Sequence, residues 1–305
     1  MLYNLLNPRF TYKTIVLIAS IVAFISTFIL MAKPFGFLPR DGGKFVTDKD
    51  GNKVEVNEAS SGKVTGVGMV FIPIFILLSI LFVIPAAEYK SRAGIEAVIY
   101  LGLILIMSIV GYLDDSAKSP WGELIKGILD FVLALVAAVV FVIYNSSEIS
   151  FLKWSFNLPK WFYVILAVAL IWGSINVTNC SDGVDGLCGT VTVIELLGFM
   201  YIFGKNMPIY SAMACILAFV LVAYLSYNWN PSTVLMGDAG SRAIGFLLAL
   251  LAMKSGHPFA FIILFAETSF ITKPLYIFSK KLSSSLTFFG FELLNINLAF
   301  FKSNL

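Results

Sequence analysis

Charge is what this 305-residue chain has least of: 13% of its residues are Asp, Glu, Lys or Arg, while 59% are hydrophobic and the mean hydropathy is +0.90. A soluble globular chain carries roughly a quarter charged residues, so a soluble enzyme is disfavoured from the outset. One-sided charge is also missing. Lys+Arg 21 against Asp+Glu 18 leaves a formal net charge of +3, too balanced to point to nucleic acid as a partner. Cysteine is limited to Cys180, Cys188 and Cys215. They are odd in number and lie in or beside apolar segments, which excludes a secreted disulfide framework and leaves small buried thiols as the expectation. His257 is the single histidine, so no His/Cys metal-ligand spacing exists. Neither a hydrophobic repeat nor a linker divides the chain, which reads as one integral domain over 1–305.

What the chain does have is long uncharged runs. About 20 helical residues cross a hydrocarbon core of ~30 Å, so the fold class is all-α, a polytopic membrane protein. Thr14 to Ala32 follows Arg9 and Lys13 and lacks a small-residue cleavage pattern before Lys33-Pro34, so it is read as an uncleaved first span. Lys33 to Lys63 is the one long polar segment, with Lys33, Arg40, Lys44, Lys49, Lys53 and Lys63 and a turn signal at Asp50-Gly51-Asn52. Its basic residues place it in the cytoplasm. Further spans are expected at Val64 to Ala87, with Pro73 inside it, Ala97 to Leu113, Trp121 to Tyr144, Trp161 to Thr178, Cys188 to Phe203, Ile209 to Tyr227 and Gly240 to Met253. Apolar stretches at Pro258 to Ala266 and Leu286 to Phe301 bring the count to nine or ten. Gly102, Gly111 and Gly173 are expected at helix contacts.

Three polar clusters punctuate this apolar chain. Asp114-Asp115 is followed by Lys118; Asn176 to Leu187 contains Asn179, Asp182, Gly183, Asp185 and Gly186; Asn228 to Ser241 contains Gly237 and Asp238. Two expected spans separate each cluster from the next, so all three emerge on the cytoplasmic side. Asp114, Asp115, Asp182, Asp185 and Asp238 then meet at one boundary, a self-repulsive arrangement that calls for a cation. Oxygen-only ligands favour a hard ion, and Mg²⁺ on one or two carboxylates plus substrate phosphates is the usual form in phosphoryl transfer. Gly183 and Gly186 are expected to turn with φ > 0 and let backbone N–H groups approach an anion. Lys63, Lys118 and Lys126 could neutralise diphosphate oxygens. Each piece alone has an ordinary explanation: an Asp pair as a helix cap, an Asp-Gly as a turn, a lysine as a snorkelling interfacial residue. It is the coincidence of three clusters on one face that points to a site.

These residues resemble the signature of the polyprenyl-phosphate N-acetylhexosamine-1-phosphate transferase superfamily, over roughly residues 1 to 265. The Asp-Asp loop, the Asn-x-x-Asn-x-x-Asp-Gly-x-Asp-Gly-Leu loop and the Met-Gly-Asp-x-Gly-Ser loop occur in family order. Ser181 before Asp182-Gly183 is similar to the phospho-N-acetylmuramoyl-pentapeptide branch; the alternative is the branch that transfers N-acetylglucosamine 1-phosphate from its UDP carrier. The resemblance implies an Mg²⁺-dependent enzyme of the bacterial inner membrane, its site on the cytoplasmic face. Its partners would be a UDP-linked amino sugar, undecaprenyl phosphate and the bilayer, with a homodimer as an optional assembly and no nucleic acid.

By motif position, Asp114 and Asp115 would position or activate the lipid phosphate. Asp238 would hold the metal with Asp182, and Asn179, Asp182, Asp185 and Asn228 would line the nucleotide-sugar site. Lys118 and Lys126 would hold phosphates and Lys63 would face the nucleotide. Leu235 stands where the family often has an aromatic residue, and His257 lies between spans, away from the family's late cytoplasmic histidine motif. From about Thr268 the pattern ends, which implies a diverged, truncated or altered tail. A transporter or flippase is the competing class, because Glu96, Asp130, Glu195, Glu267 and Glu292 fall in or beside apolar runs and intramembrane ionisable residues often mark pathways. Glu96 and Glu195 are instead expected to pair with a neighbouring helix, and Asp130 to reach water.

Overall fold

The computed structural model describes residues 6, 9–32, 36–41, 62–83, 91–117, 121–151, 154–204 and 206–258, with two short strands at 45–47 and 53–55. Among the described residues eight α-helices follow in chain order: α1 Tyr12–Met31, α2 Gly68–Leu78, α3 Arg92–Asp115, α4 Glu123–Tyr144, α5 Lys160–Ser181, α6 Leu187–Phe203, α7 Pro208–Asn228 and α8 Gly237–Lys254. Each overlaps one of the first eight apolar runs expected to span. Five of them, α1, α3, α4, α5 and α7, are long and apolar enough to cross a membrane, and Gly68–Val83 and Leu187–Phe203 are shorter apolar helices. The protein is an integral membrane protein built mainly of helices. The two further expected spans, Glu267, Glu292 and the atypical tail lie outside the described residues.

Local chemistry sets the helix ends. Ser91 accepts from the Gly94 N–H at 3.1 Å and caps α3, and Pro208 starts α7, where a missing N–H costs nothing. The second expected span begins later than its apolar run. Val64 bridges both Arg40 and Val234, the chain then turns at Gly66 with φ +72, and α2 starts only at Gly68. Pro73 sits inside α2, which passes into a π-helical turn at Ser79–Val83. Two antiparallel hairpins were not foreseen: β1 Phe45–Thr47 with β2 Lys53–Glu55, around the segment of the predicted turn, and β3 Glu148–Phe151 with β4 Trp154–Asn157.

Helix α8 is the centre of the bundle, buried from Ala239 to Met253 and packed against α2, α3 and α5, while α7 carries α1 and α6 and α5 carries α4. Lipid tails give helices no hydrophobic reason to associate, so close approach and polar contacts must do it. Gly111 fits that expectation: an added methyl there would overlap the Asp238 carbonyl. Gly68 does the same against Gly240. Gly102 and Gly173 do not, since nothing lies within 4 Å of where their side chains would be; they face away from the contacts.

Candidate active site

The three acidic clusters meet where α8 begins. A helix leaves its first N–H groups without intrahelical partners, and here two other loops supply them. Asp115, ending α3, accepts from the Asp238 N–H and the Ala239 N–H, both at 3.1 Å. Asp182, just past α5, accepts from the Gly237 N–H. Both carboxylates sit at the positive end of the α8 dipole. Gly237 has φ +66, and a side chain there would collide with the Asp115 carboxylate, which is why this turn needs glycine. Burial, and then the negative charges of Asp115 and Asp238, push the Asp182 carboxyl well above the usual range. Gly186 turns with φ +75; Gly183, expected to do likewise, is not among the described glycines with positive φ.

Asp238 points away from the cap toward α4 and α5. Its Oδ1 accepts from Asn179 Nδ2 at 2.7 Å, and Asn179 also reaches Ser241 Oγ at 3.1 Å. Its Oδ2 lies 3.2 Å from Lys126 Nζ, and the same ammonium is 2.5 Å from Asp114 Oδ2. Asp114 is buried, and its other oxygen accepts from the Trp121 N–H at 2.8 Å. Lys126 therefore bridges two carboxylates from different helices, one turn inside α4. At the outer rim Lys63 Nζ donates to Asp185 Oδ2 at 3.2 Å and to Ser232 Oγ at 2.7 Å, and the Ser232 N–H also binds Asp185. Asn228 is buried between loops. It accepts from the Gly186 N–H at 2.9 Å and donates to the Val234 carbonyl at 2.8 Å, tying the second cluster to the third.

Of the predicted site residues, Asp114, Asp115, Lys126, Asn179, Asp182 and Asp238 form one connected group, and Lys63, Asp185 and Asn228 hold the loops beside it. Lys118 lies outside the described residues. Three expectations are corrected. Asp130 does not reach water: it is buried in an ion pair with Arg242, because α4 turns that face inward onto α8. Glu195 does not pair with another helix, since both its oxygens are buried without a hydrogen-bond partner. Cys180 is exposed, near the end of α5 where the helix meets the mouth. Glu96 does pair, with Lys254. Arg242 was missed altogether, although a lone arginine in an apolar run four residues after Asp238 was a visible signal.

An oxygen-rich mouth at the end of a membrane helix bundle, with lysines among its carboxylates, is the equipment of an enzyme that handles phosphates. Residues 97–256 match glycosyl transferase family 4, and the chain belongs to that family. It is 34% identical over 275 residues to the phospho-N-acetylmuramoyl-pentapeptide-transferase of Treponema pallidum (strain Nichols), covering 82% of this chain and 70% of the relative. It is 29% identical over 261 residues to the protein of that name from Streptococcus thermophilus (strain CNRZ 1066), 79% of this chain and 72% of the relative. The Fervidobacterium nodosum protein of the same name is 27% identical over 212 residues, 67% of this chain and 62% of the relative. The resemblance carried by the acidic loops is thereby borne out. The chain is a phosphoglycosyl transferase.

Proposed function

We propose that the chain acts in peptidoglycan synthesis, transferring phospho-N-acetylmuramoyl-pentapeptide from its UDP carrier to undecaprenyl phosphate at the cytoplasmic face of the bacterial inner membrane. The products are UMP and the first lipid-linked precursor. The observation that carries the reading is the convergence of all three acidic clusters on the first turn of α8, beside one lysine shared by Asp114 and Asp238. A soluble nucleotide sugar and a lipid phosphate can both reach such a mouth, whereas a transporter needs its polar groups along a path across the bilayer.

In the reaction a phosphate oxygen of the lipid attacks the sugar-bearing phosphorus of the UDP-sugar. The P–O bond to the other phosphorus breaks, and its electron pair leaves on UMP. What Asp238 and Asp182 would offer a metal is carboxylate oxygen, now accepting from Asn179, Lys126 and the Gly237 N–H. No three acidic, His or Cys side chains cluster as a metal cage among the described residues, so these residues alone do not complete a metal's shell. Asp238 and Asp182 would hold Mg²⁺, and when bound it supplies neutralisation of the diphosphate charge. Lys126, already poised between two carboxylates, turns to a substrate phosphate. Asp114, freed from it, takes the proton of the lipid phosphate. Asp115 keeps the α8 N-terminus in place, Asn179 orients Asp238, and Lys63 with Asp185 borders the nucleotide.

The test is UMP release by purified protein given undecaprenyl phosphate and UDP-N-acetylmuramoyl-pentapeptide or UDP-N-acetylglucosamine. Turnover is expected with the muramoyl substrate, only with Mg²⁺, and not in Asp238→Asn or Lys126→Ala. Full activity in a chelator, or substrate flux across sealed vesicles without UMP, would overturn the reading.

A further inference from the structure

Four charged side chains form two rungs between α4 and α8. Lys126 and Asp130 stand four residues apart on α4, and Asp238 and Arg242 four apart on α8, so each pair shares a helix face. Both helices start at the polar mouth and run the same way, which puts the rungs at matching depths. Lys126 faces Asp238 at 3.2 Å, and one turn deeper Asp130 is ion-paired with Arg242. The outer rung is partly open, both side chains being 20% exposed; the inner rung is closed, at 2% for Arg242 and 5% for Asp130.

Stability gives a weak reason for the inner rung, because a buried ion pair is commonly no better than apolar side chains of like size. The guanidinium is also not used up on Asp130. Its Nη2 binds Asp130 Oδ1 and lies 3.4 Å from the Lys126 carbonyl. Its Nη1 is buried, has no hydrogen-bond partner, and lies 3.8 Å from Asp238 Oδ2. A spare donor thus faces the oxygen that Lys126 also holds. When Lys126 turns to a phosphate, Asp238 Oδ2 loses that contact, and among the described residues Arg242 Nη1 is the cationic side-chain group left beside it.

We propose that Asp130 and Arg242 are positioning residues for the transfer: Asp130 holds Arg242 so that its free Nη1 keeps Asp238 aimed when Lys126 turns to substrate. This rests on the transferase reading, since it is a substrate phosphate that draws Lys126 away. Neither residue touches the reacting atoms.

The experiment compares parent, Arg242→Lys and the double variant Asp130→Leu/Arg242→Leu in detergent. It measures thermal midpoint, and kcat and KM for UDP-N-acetylmuramoyl-pentapeptide and for undecaprenyl phosphate. A lysine at 242 satisfies Asp130 but has no second nitrogen for Asp238, so a merely structural role predicts parent-like turnover. The expected result is an unchanged midpoint with kcat down about 10-fold and both KM values within about twofold, a loss confined to the transition state. The double variant removes both charges together and is expected to fold and to lose kcat equally. Should it fail to fold, Arg242→Lys decides alone. A folded Arg242→Lys protein with parent-like kcat overturns the inference. A parent that releases no UMP overturns the transferase reading, and this inference with it.

Discussion

Replacing Lys254 by Met perturbs a polar cluster at the end of the bundle opposite the mouth. Glu96 of α3, 2% exposed, accepts from Lys254 Nζ at 2.9 Å, Tyr210 Oη at 3.1 Å, Tyr100 Oη at 2.9 Å and Asn145 Nδ2 at 2.6 Å. Lys254 also donates to Asn145 Oδ1 at 2.6 Å and lies 4.7 Å from the Tyr210 ring centroid. Methionine fills similar volume but leaves the carboxylate with no cation. Breaking a buried pair from one side costs about 3–5 kcal/mol, and three remaining donors to Glu96 put the expected cost near the lower figure. At about 2–4 °C per kcal/mol for a domain of this size, the midpoint falls by roughly 6–12 °C. Glu96→Gln/Lys254→Met removes both charges and recovers most of that loss. Thermal unfolding in detergent, followed by tryptophan fluorescence, measures each variant and the coupling between the two sites. UMP release well below the midpoint stays near parent, because the cluster is remote from the acidic loops. A drop in the single variant under about 2 °C, small against the 3 kcal/mol expected for an orphaned buried charge, would refute the reasoning.

Asn228→Ala leaves the Gly186 N–H and the Val234 carbonyl without their side-chain partner, at about 1–3 kcal/mol; a lower midpoint together with a raised KM for the UDP-sugar checks it. Gly111→Ala drives a methyl into the Asp238 carbonyl, which should cost about 1–3 kcal/mol and displace Asp238. Circular dichroism should show the helices retained while UMP release collapses. Glu195→Leu removes two buried oxygens that have no partner, so the midpoint should rise, by about 1–3 kcal/mol in stability, with activity unchanged.

Most of the helical layout was legible because each span is a nearly uncharged run bounded by polar turns, and run length is enough to place it. The meeting of the acidic clusters was legible for a topological reason: an even number of crossings returns the chain to the same side. What hydropathy does not encode is which way a residue faces around a helix. Gly111 and Gly102 look alike in sequence, yet one lies against α8 and the other contacts nothing. Asp130 was read as near water because depth was judged without rotation, and its partner Arg242 belongs to a helix adjacent in space but far away in sequence. Asp115 and Asp182 were read only as chemical groups; that their oxygens also receive the backbone N–H groups of α8 was not foreseen. That role follows only once the three loops are in contact. The hairpin at Glu148–Asn157 escaped notice because its strands are four residues each, too short for alternation to register.

The borrowed cap at Gly237 has a consequence for how the mouth behaves. Because the opening turn of α8 takes its partners from the ends of α3 and α5, no one of the three loops can swing aside without stranding amide hydrogens at a lipid-walled boundary. The polar framework is therefore assembled before either reactant arrives, and motion on docking is left to the long lysine side chains at its rim.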